Sequence, residues 1–153
     1  MSGRDTPRSE APLTGRCHCG NLELSLETSA RPEELSLRAD TCSFCRRHGA
    51  RTTSDPSGRV VITVHHPDEL LRYRFGLETA DFLVCGRCGI YVAAVMNEGS
   101  SSYATVNVNI LDAVGAPMRR RTGRSLPDPC PTAPNRSGDG APAPVHGSLG
   151  SRS

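Results

Sequence analysis

The chain has 153 residues and a mass of 16.3 kDa, enough for one domain, with a net charge of +2, 4% aromatic residues and no tryptophan. So thin an aromatic complement predicts that bound metal matters for folding. Residues 13–112 hold ten arginines against twelve acids and the flanks eight against four, so the basic character belongs to the flanks and the body has no cationic surplus to offer nucleic acid.

Residues 1–12 are polar and read as a flexible tail, with neither the apolar run of a signal peptide nor the roughly 18 apolar residues of a membrane span. A soluble, cytoplasmic protein without a membrane partner is the expectation. The first motif is Cys17-x-Cys19 followed by Gly20. Asn21 to Glu27 then alternates polar and apolar residues, as a strand with one buried face should. Leu35 to Arg38 reads as a further strand. A second cysteine pair follows at Cys42-x-x-Cys45, with Asp40 two residues ahead of it.

Strands are predicted at Val60 to Val64, Leu70 to Phe75, Asp81 to Val84, Ile90 to Met96 and Tyr103 to Ile110. Turn clusters at Asp55-Pro56-Ser57-Gly58 and Asn97-Glu98-Gly99-Ser100-Ser101 separate them. The best helical signal is one turn at Pro67 to Leu70, where proline and acids suit a first turn. The third cysteine pair, Cys85-x-x-Cys88, ends in Gly89. Residues 113–153 contain seven of the twelve prolines and six of the fifteen glycines, a composition that cannot bury enough surface to fold. Cys130 in that tail reads as an unpaired bystander, and the Arg119-Arg120-Arg121 run as solvated.

Tetrahedral zinc takes four ligands at about 2.3 Å for sulfur, and a tight turn lets two nearby cysteines face one ion. The pairs ending in Gly20 and Gly89 are therefore assigned together: Cys17, Cys19, Cys85 and Cys88 hold one structural zinc. The alternative is a pair of dithiols or disulfides; the strand-like segment after Cys88 argues against a thioredoxin-type motif, which continues into a helix. Cys42 and Cys45 have no second C-x-x-C to complete a site. Asp40 supplies a candidate third ligand, leaving an open position of the kind reactive zinc uses. A metal-free turn with buried, inert cysteines is the competing reading. Arg46 and Arg47 follow directly and read either as surface arginines or as holders of a substrate carboxylate. His48 is a candidate proton shuttle or a hydrogen-bonded turn residue. His18 should point away from the zinc between its ligands, and His65 and His66 are expected to be exposed.

The runs Gly15-Arg16-Cys17-His18-Cys19-Gly20, Cys42-Ser43-Phe44-Cys45-Arg46-Arg47-His48-Gly49-Ala50 and Cys85-Gly86-Arg87-Cys88-Gly89, in that order, resemble the glutathione-dependent formaldehyde-activating enzyme and centromere protein V family. The likeness covers about residues 13–112, read as the folded domain. It implies a mostly β, β-tent fold of small antiparallel sheets, a structural zinc on the outer pairs and a catalytic zinc on a C-x-C-x-x-C motif. It also implies carbon–sulfur lyase chemistry on a thiol adduct of a small aldehyde, with a glutathione-like thiol as the partner molecule. Here Asp40 stands where that motif has its first cysteine. A carboxylate is a harder ligand than a thiolate, so Asp40 acts either as a ligand or as a general base, and Asp40, Cys42 and Cys45 form the candidate catalytic set. The alternative is a non-enzymatic, single-zinc module.

Overall fold

In the computed structural model, residues 11–112 and the pair 143–144 are described; Cys130 and the rest of the proline- and glycine-rich tail lie outside these residues. The chain is mostly β, in small antiparallel sheets. Strands β1 (Leu13–Arg16), β2 (Leu22–Glu27), β3 (Thr52–Thr53), β4 (Arg59–Val64), β5 (Leu70–Tyr73), β6 (Asp81–Cys85), β7 (Tyr91–Glu98), β8 (Ser101–Asn107) and β9 (Ala143–Pro144) accompany one short helix, α1 (Ser43–Arg47). The smaller sheet runs β1-β2-β4 and the larger β3-β8-β7-β6-β5, with β9 on β8.

The period-two pattern of β2 does what alternation requires: Leu22, Leu24 and Leu26 are buried while Glu23 and Glu27 face solvent. They pack with Val60 and Ile62 of β4 against Leu83, Ala93, Ala104 and Val106 of the larger sheet, and apart from Cys17 and Cys85 this main core is aliphatic. The rings are elsewhere. Register places Tyr73, Phe82 and Ala94 in one row across β5, β6 and β7, on the face turned away from the aliphatic core. There they form a second cluster with Cys42, Cys45 and Tyr91.

One irregularity sets this division. Leu83 pairs with Ala93 but Val84 with Tyr91, so Val92 is an extra residue on β7. Such a bulge lets two consecutive residues face the same way: Val92 and Ala93 both join the aliphatic core. Regular pairing would have placed Tyr91 opposite Cys85 on that side; the bulge sends its ring to the other face.

Two sequence expectations change. Leu35 to Arg38 is not a strand: it follows a 3-10 turn at Pro32–Glu34 and makes one isolated bridge, Arg38 to Thr52. The predicted strand through Ile110 stops at Asn107, whose side chain accepts from the Asn109 N–H and turns Val108–Ile110 into a 3-10 helix. The short elements β1, β3 and α1 carry no signal that sequence reasoning picks out. The turn at Pro67–Glu69 and the β7–β8 hairpin around Gly99 (φ 60°) form as expected.

Candidate metal centre

The loops between β1 and β2 and between β6 and β7 are built alike. Cys17 donates its N–H to Leu22 O (2.8 Å) and Cys85 to Ile90 O (3.0 Å), each five residues on; each cysteine's carbonyl accepts from the closing glycine, Gly20 (3.0 Å) or Gly89 (2.7 Å). Both glycines have positive φ, 81° and 77°, a conformation that a Cβ would strain. The closed loops turn backbone N–H groups onto sulfur: Leu22 N–H lies 3.2 Å from Cys17 Sγ, and those of Asn21 and Ile90 reach Cys19 and Cys88.

The loops meet. The four sulfurs of Cys17, Cys19, Cys85 and Cys88 all lie within 4.8 Å of one another, with Cys17 to Cys19 at 3.7 Å and Cys19 to Cys85 at 3.5 Å. A regular tetrahedron with zinc–sulfur bonds of about 2.3 Å has sulfur–sulfur edges of about 3.8 Å. Four thiolates with no other ligand type suit zinc well, and a closed set of this kind is structural. Cys17 and Cys85 are buried in the aliphatic core, Cys88 is half-buried and Cys19 is exposed, so the site sits at the core's rim and joins both sheets. Without metal the crowded thiols titrate apart. At Cys88, burial works against the charged form, but the Ile90 N–H and neighbouring groups prevail and lower it to about 6. At Cys19, the Asn21 N–H works downward, yet desolvation and the sulfurs of Cys85, Cys17 and Cys88 push it up to about 12. His18 is exposed and does not join the donors. His65 and His66 are exposed as expected, with His65 Nε2 3.3 Å from Glu23.

Among the described residues the four cysteines are the one such donor group; Asp40, Cys42 and Cys45 are not gathered into a second. The reason is local. The Arg38–Thr52 bridge brings Asp40 to the fully buried Thr52, whose hydroxyl donates to Asp40 Oδ2 at 2.6 Å. The structure therefore shows one metal-competent donor group and does not show a second at Asp40, Cys42 and Cys45.

Cys42 caps α1, accepting from the Cys45 N–H at 3.3 Å, and both cysteines are 2% exposed. Arg46 and Arg47 point to solvent from the same helix. Phe44 contacts the rings of His48, Tyr73, Phe75, Phe82 and Tyr91 at centroid distances of 4.1–5.7 Å. All three phenylalanines and two of the three tyrosines thus share one cluster around the second cysteine pair. Spacing does not reveal this, since the residues come from α1, β5, β6, β7 and a loop. The C-terminal end of the cysteine turn is pinned by Asn109, whose Nδ2 donates to Gly49 O (2.9 Å) and whose Oδ1 accepts from Arg51 Nε (3.0 Å).

Two small antiparallel sheets joined by a four-cysteine cluster define a mostly β protein whose cysteines could hold one metal ion such as zinc. The chain is 36% identical to a Rhodobacter sphaeroides protein of known crystal structure, over 67% of this chain and 90% of that one, with a TM-score of 0.50. At that identity and coverage the chain belongs to the same family as the Rhodobacter protein. No family model and no curated protein matches it. No helix among the described residues is long and apolar enough to cross a membrane.

Proposed function

We propose that the chain is a zinc protein of the glutathione-dependent formaldehyde-activating type. Cys17, Cys19, Cys85 and Cys88 hold a structural zinc, and the ring-lined face around Cys42, Cys45 and His48 binds a thiol adduct of a small aldehyde. The observation that supports this most is the segregation of the three cysteine pairs. Two combine into a closed site at the edge of the aliphatic core, while the third lies on the opposite face of the larger sheet beside an exposed histidine.

The residues there suit cleavage of a hemithioacetal. His48 Nδ1 lies 3.0 Å from Phe44 O; a carbonyl only accepts, so Nδ1 carries the proton and Nε2 is left as an acceptor. In our reading Nε2 takes the proton from the adduct's hydroxyl, the carbonyl forms as the carbon–sulfur bond breaks, and the proton passes to the departing thiolate sulfur. Arg46 and Arg47 hold carboxylates of the thiol, as a glycyl or glutamyl end would present. No step is routed through a second zinc, because Asp40, Cys42 and Cys45 are not gathered into a donor group among the described residues. We place this activity in the cytoplasm, where a glutathione-like thiol is the partner molecule.

The Asp40–Thr52 hydrogen bond also favours a second reading, a single-zinc module without lyase activity. Native mass spectrometry and proton NMR of thiol–formaldehyde exchange separate the two. The enzyme reading expects one zinc, faster exchange of S-hydroxymethyl adducts than in buffer, and loss of that acceleration in His48→Ala. Exchange no faster than buffer leaves the module. Two zincs, falling to one in Cys42→Ala/Cys45→Ala, would overturn the engagement of Asp40 by Thr52 in place of a metal.

A further inference from the structure

Strand β5 ends the larger sheet, and no strand among the described residues pairs with its outer edge. An unpaired edge presents a row of backbone donors and acceptors, which proteins normally blunt or cover. The large hydrophobic residues most exposed on the described surface all belong to β5 or the turn after it: Leu71 is 53% exposed, Tyr73 50% and Leu77 68%. Leu71 and Tyr73 alternate with Arg72 and Arg74, so the edge is apolar on one face and cationic on the other. Tyr73 continues into the ring cluster through Phe44 and Phe75. Leu71 lies against Gly86 of the metal loop.

Charge selects the occupant. Neither α1 nor β5 contains an acid; of the acids in the segments flanking β5, Asp81 pairs with Arg72 and Arg74, Glu69 pairs with Arg87, and Asp68 and Glu78 stand beyond them, so Arg46, Arg47, Arg72 and Arg74 leave a cationic excess on and beside these two elements. Arg72 and Arg74 share the single Asp81 carboxylate while staying 41% and 56% exposed. A second copy meeting edge to edge with the pairing centred on Arg72 or Tyr73 would set these arginines against their own counterparts, and like charges across strands are unfavourable.

We propose that the β5 edge is a docking site for an extended acidic peptide of a partner protein, which adds as a sixth main-path strand with apolar side chains over Leu71 and Tyr73 and carboxylates over Arg72 and Arg74. The mode is β-augmentation, in which main-chain hydrogen bonds hold the peptide and alternate side chains select it. This site goes beyond the chemistry proposed at Cys42 and Cys45 and does not depend on it.

The test titrates zinc-loaded full-length protein into a fluorescein-labelled peptide of alternating glutamate and valine, read by anisotropy, with amide shifts from nitrogen-15 NMR. Saturable binding with shifts centred on residues 70–75 is expected. Tyr73→Thr and Arg72→Gln should each weaken it by roughly two- to fivefold, the value of one cross-strand pair. Zinc content and circular dichroism report whether the variants remain folded. A peptide N-methylated at alternate residues, which needs no change to the protein, should fail to bind. Several outcomes overturn the proposal: no binding, equal binding of the lysine-for-glutamate peptide, undiminished binding of the N-methylated peptide, or shifts elsewhere. Concentration-dependent dimerisation lost in Tyr73→Thr would assign the edge to a second copy instead.

Discussion

Replacing Cys19 with alanine isolates what the metal contributes to stability. Its side chain is exposed, so the change removes no core packing; it removes one of the four cysteines that could hold the metal. Cys19 and Cys85 are 66 residues apart in sequence and their sulfurs 3.5 Å apart. A zinc held by the four cysteines would therefore close a loop of that length between the two sheets. The loop-entropy expression used for covalent cross-links gives about 4 kcal/mol for such a closure at 25 °C. A domain of this size has only about 5–15 kcal/mol of total stability, so the tie is a large share. At about 4–8 °C per kcal/mol, melting should fall by roughly 15–30 °C. Differential scanning calorimetry of wild type and Cys19→Ala, each with and without a high-affinity zinc chelator, reads the effect. Chelated wild type should melt near the variant, and chelating the variant should change little. If wild type melts at the same temperature with and without zinc, the metal does not tie the sheets and the reasoning fails.

Asp81 has a side chain only 8% exposed and is held by Arg74 and Arg72; the Arg74 hydrogen bond is the main cause that keeps its carboxyl below the ordinary 3.8. A depressed carboxyl contributes stability above its unfolded value and loses it as pH falls through the folded one. Asp81→Asn should therefore cost about 1.5–3 kcal/mol at pH 7, and urea titrations should show the gap closing below about pH 4. A gap independent of pH would mean the ion pair is not its source. At Gly15 an added Cβ would overlap the Ile110 carbonyl and lie 2.8 Å from Leu111 Cα, both backbone atoms that cannot rotate away. Gly15→Ala should lose about 1–3 kcal/mol in chemical denaturation, and a neutral result would show that the β1 contact with Leu111 yields easily. Asn107 is buried, donates to Tyr91 O at 2.8 Å and accepts from Asn109 N–H at 3.2 Å. Asn107→Ala leaves both groups unmatched and should cost about 1–3 kcal/mol, with the Tyr91 ring resonances shifting in proton NMR. Unmoved Tyr91 signals would refute its role in placing that ring.

The long alternating strands are legible in the sequence because burial of one face imposes a period of two, visible over six residues in β2. Their ends are less so: Asn107 terminates β8 through a side-chain hydrogen bond that the Val106-Asn107-Val108 alternation conceals. Strand β3, two residues long, exists only through its pairing with Val106 and Asn107. Five residues of α1 carry too little periodicity to announce a helix, and Cys42 as its cap gives an unfamiliar start. Spacing to Cys42 makes Asp40 a candidate ligand. That inference cannot include Thr52, twelve residues away, whose hydroxyl takes the carboxylate.

By itself the sequence determined the mostly β character and the pairing of Cys17 and Cys19 with Cys85 and Cys88. Side-chain alternation and the short reach between cysteines in a tight turn are local geometry, written into a few consecutive residues. Only the tertiary structure decided which face each cysteine pair occupies. The Val92 bulge turns Tyr91 to the opposite face of the larger sheet, and strand register then assembles the rings around Cys42 and Cys45. The same packing leaves β5 at the sheet's end with Leu71 and Tyr73 exposed. Register and edge position arise from contacts between segments distant in the chain, and no short stretch of sequence encodes them.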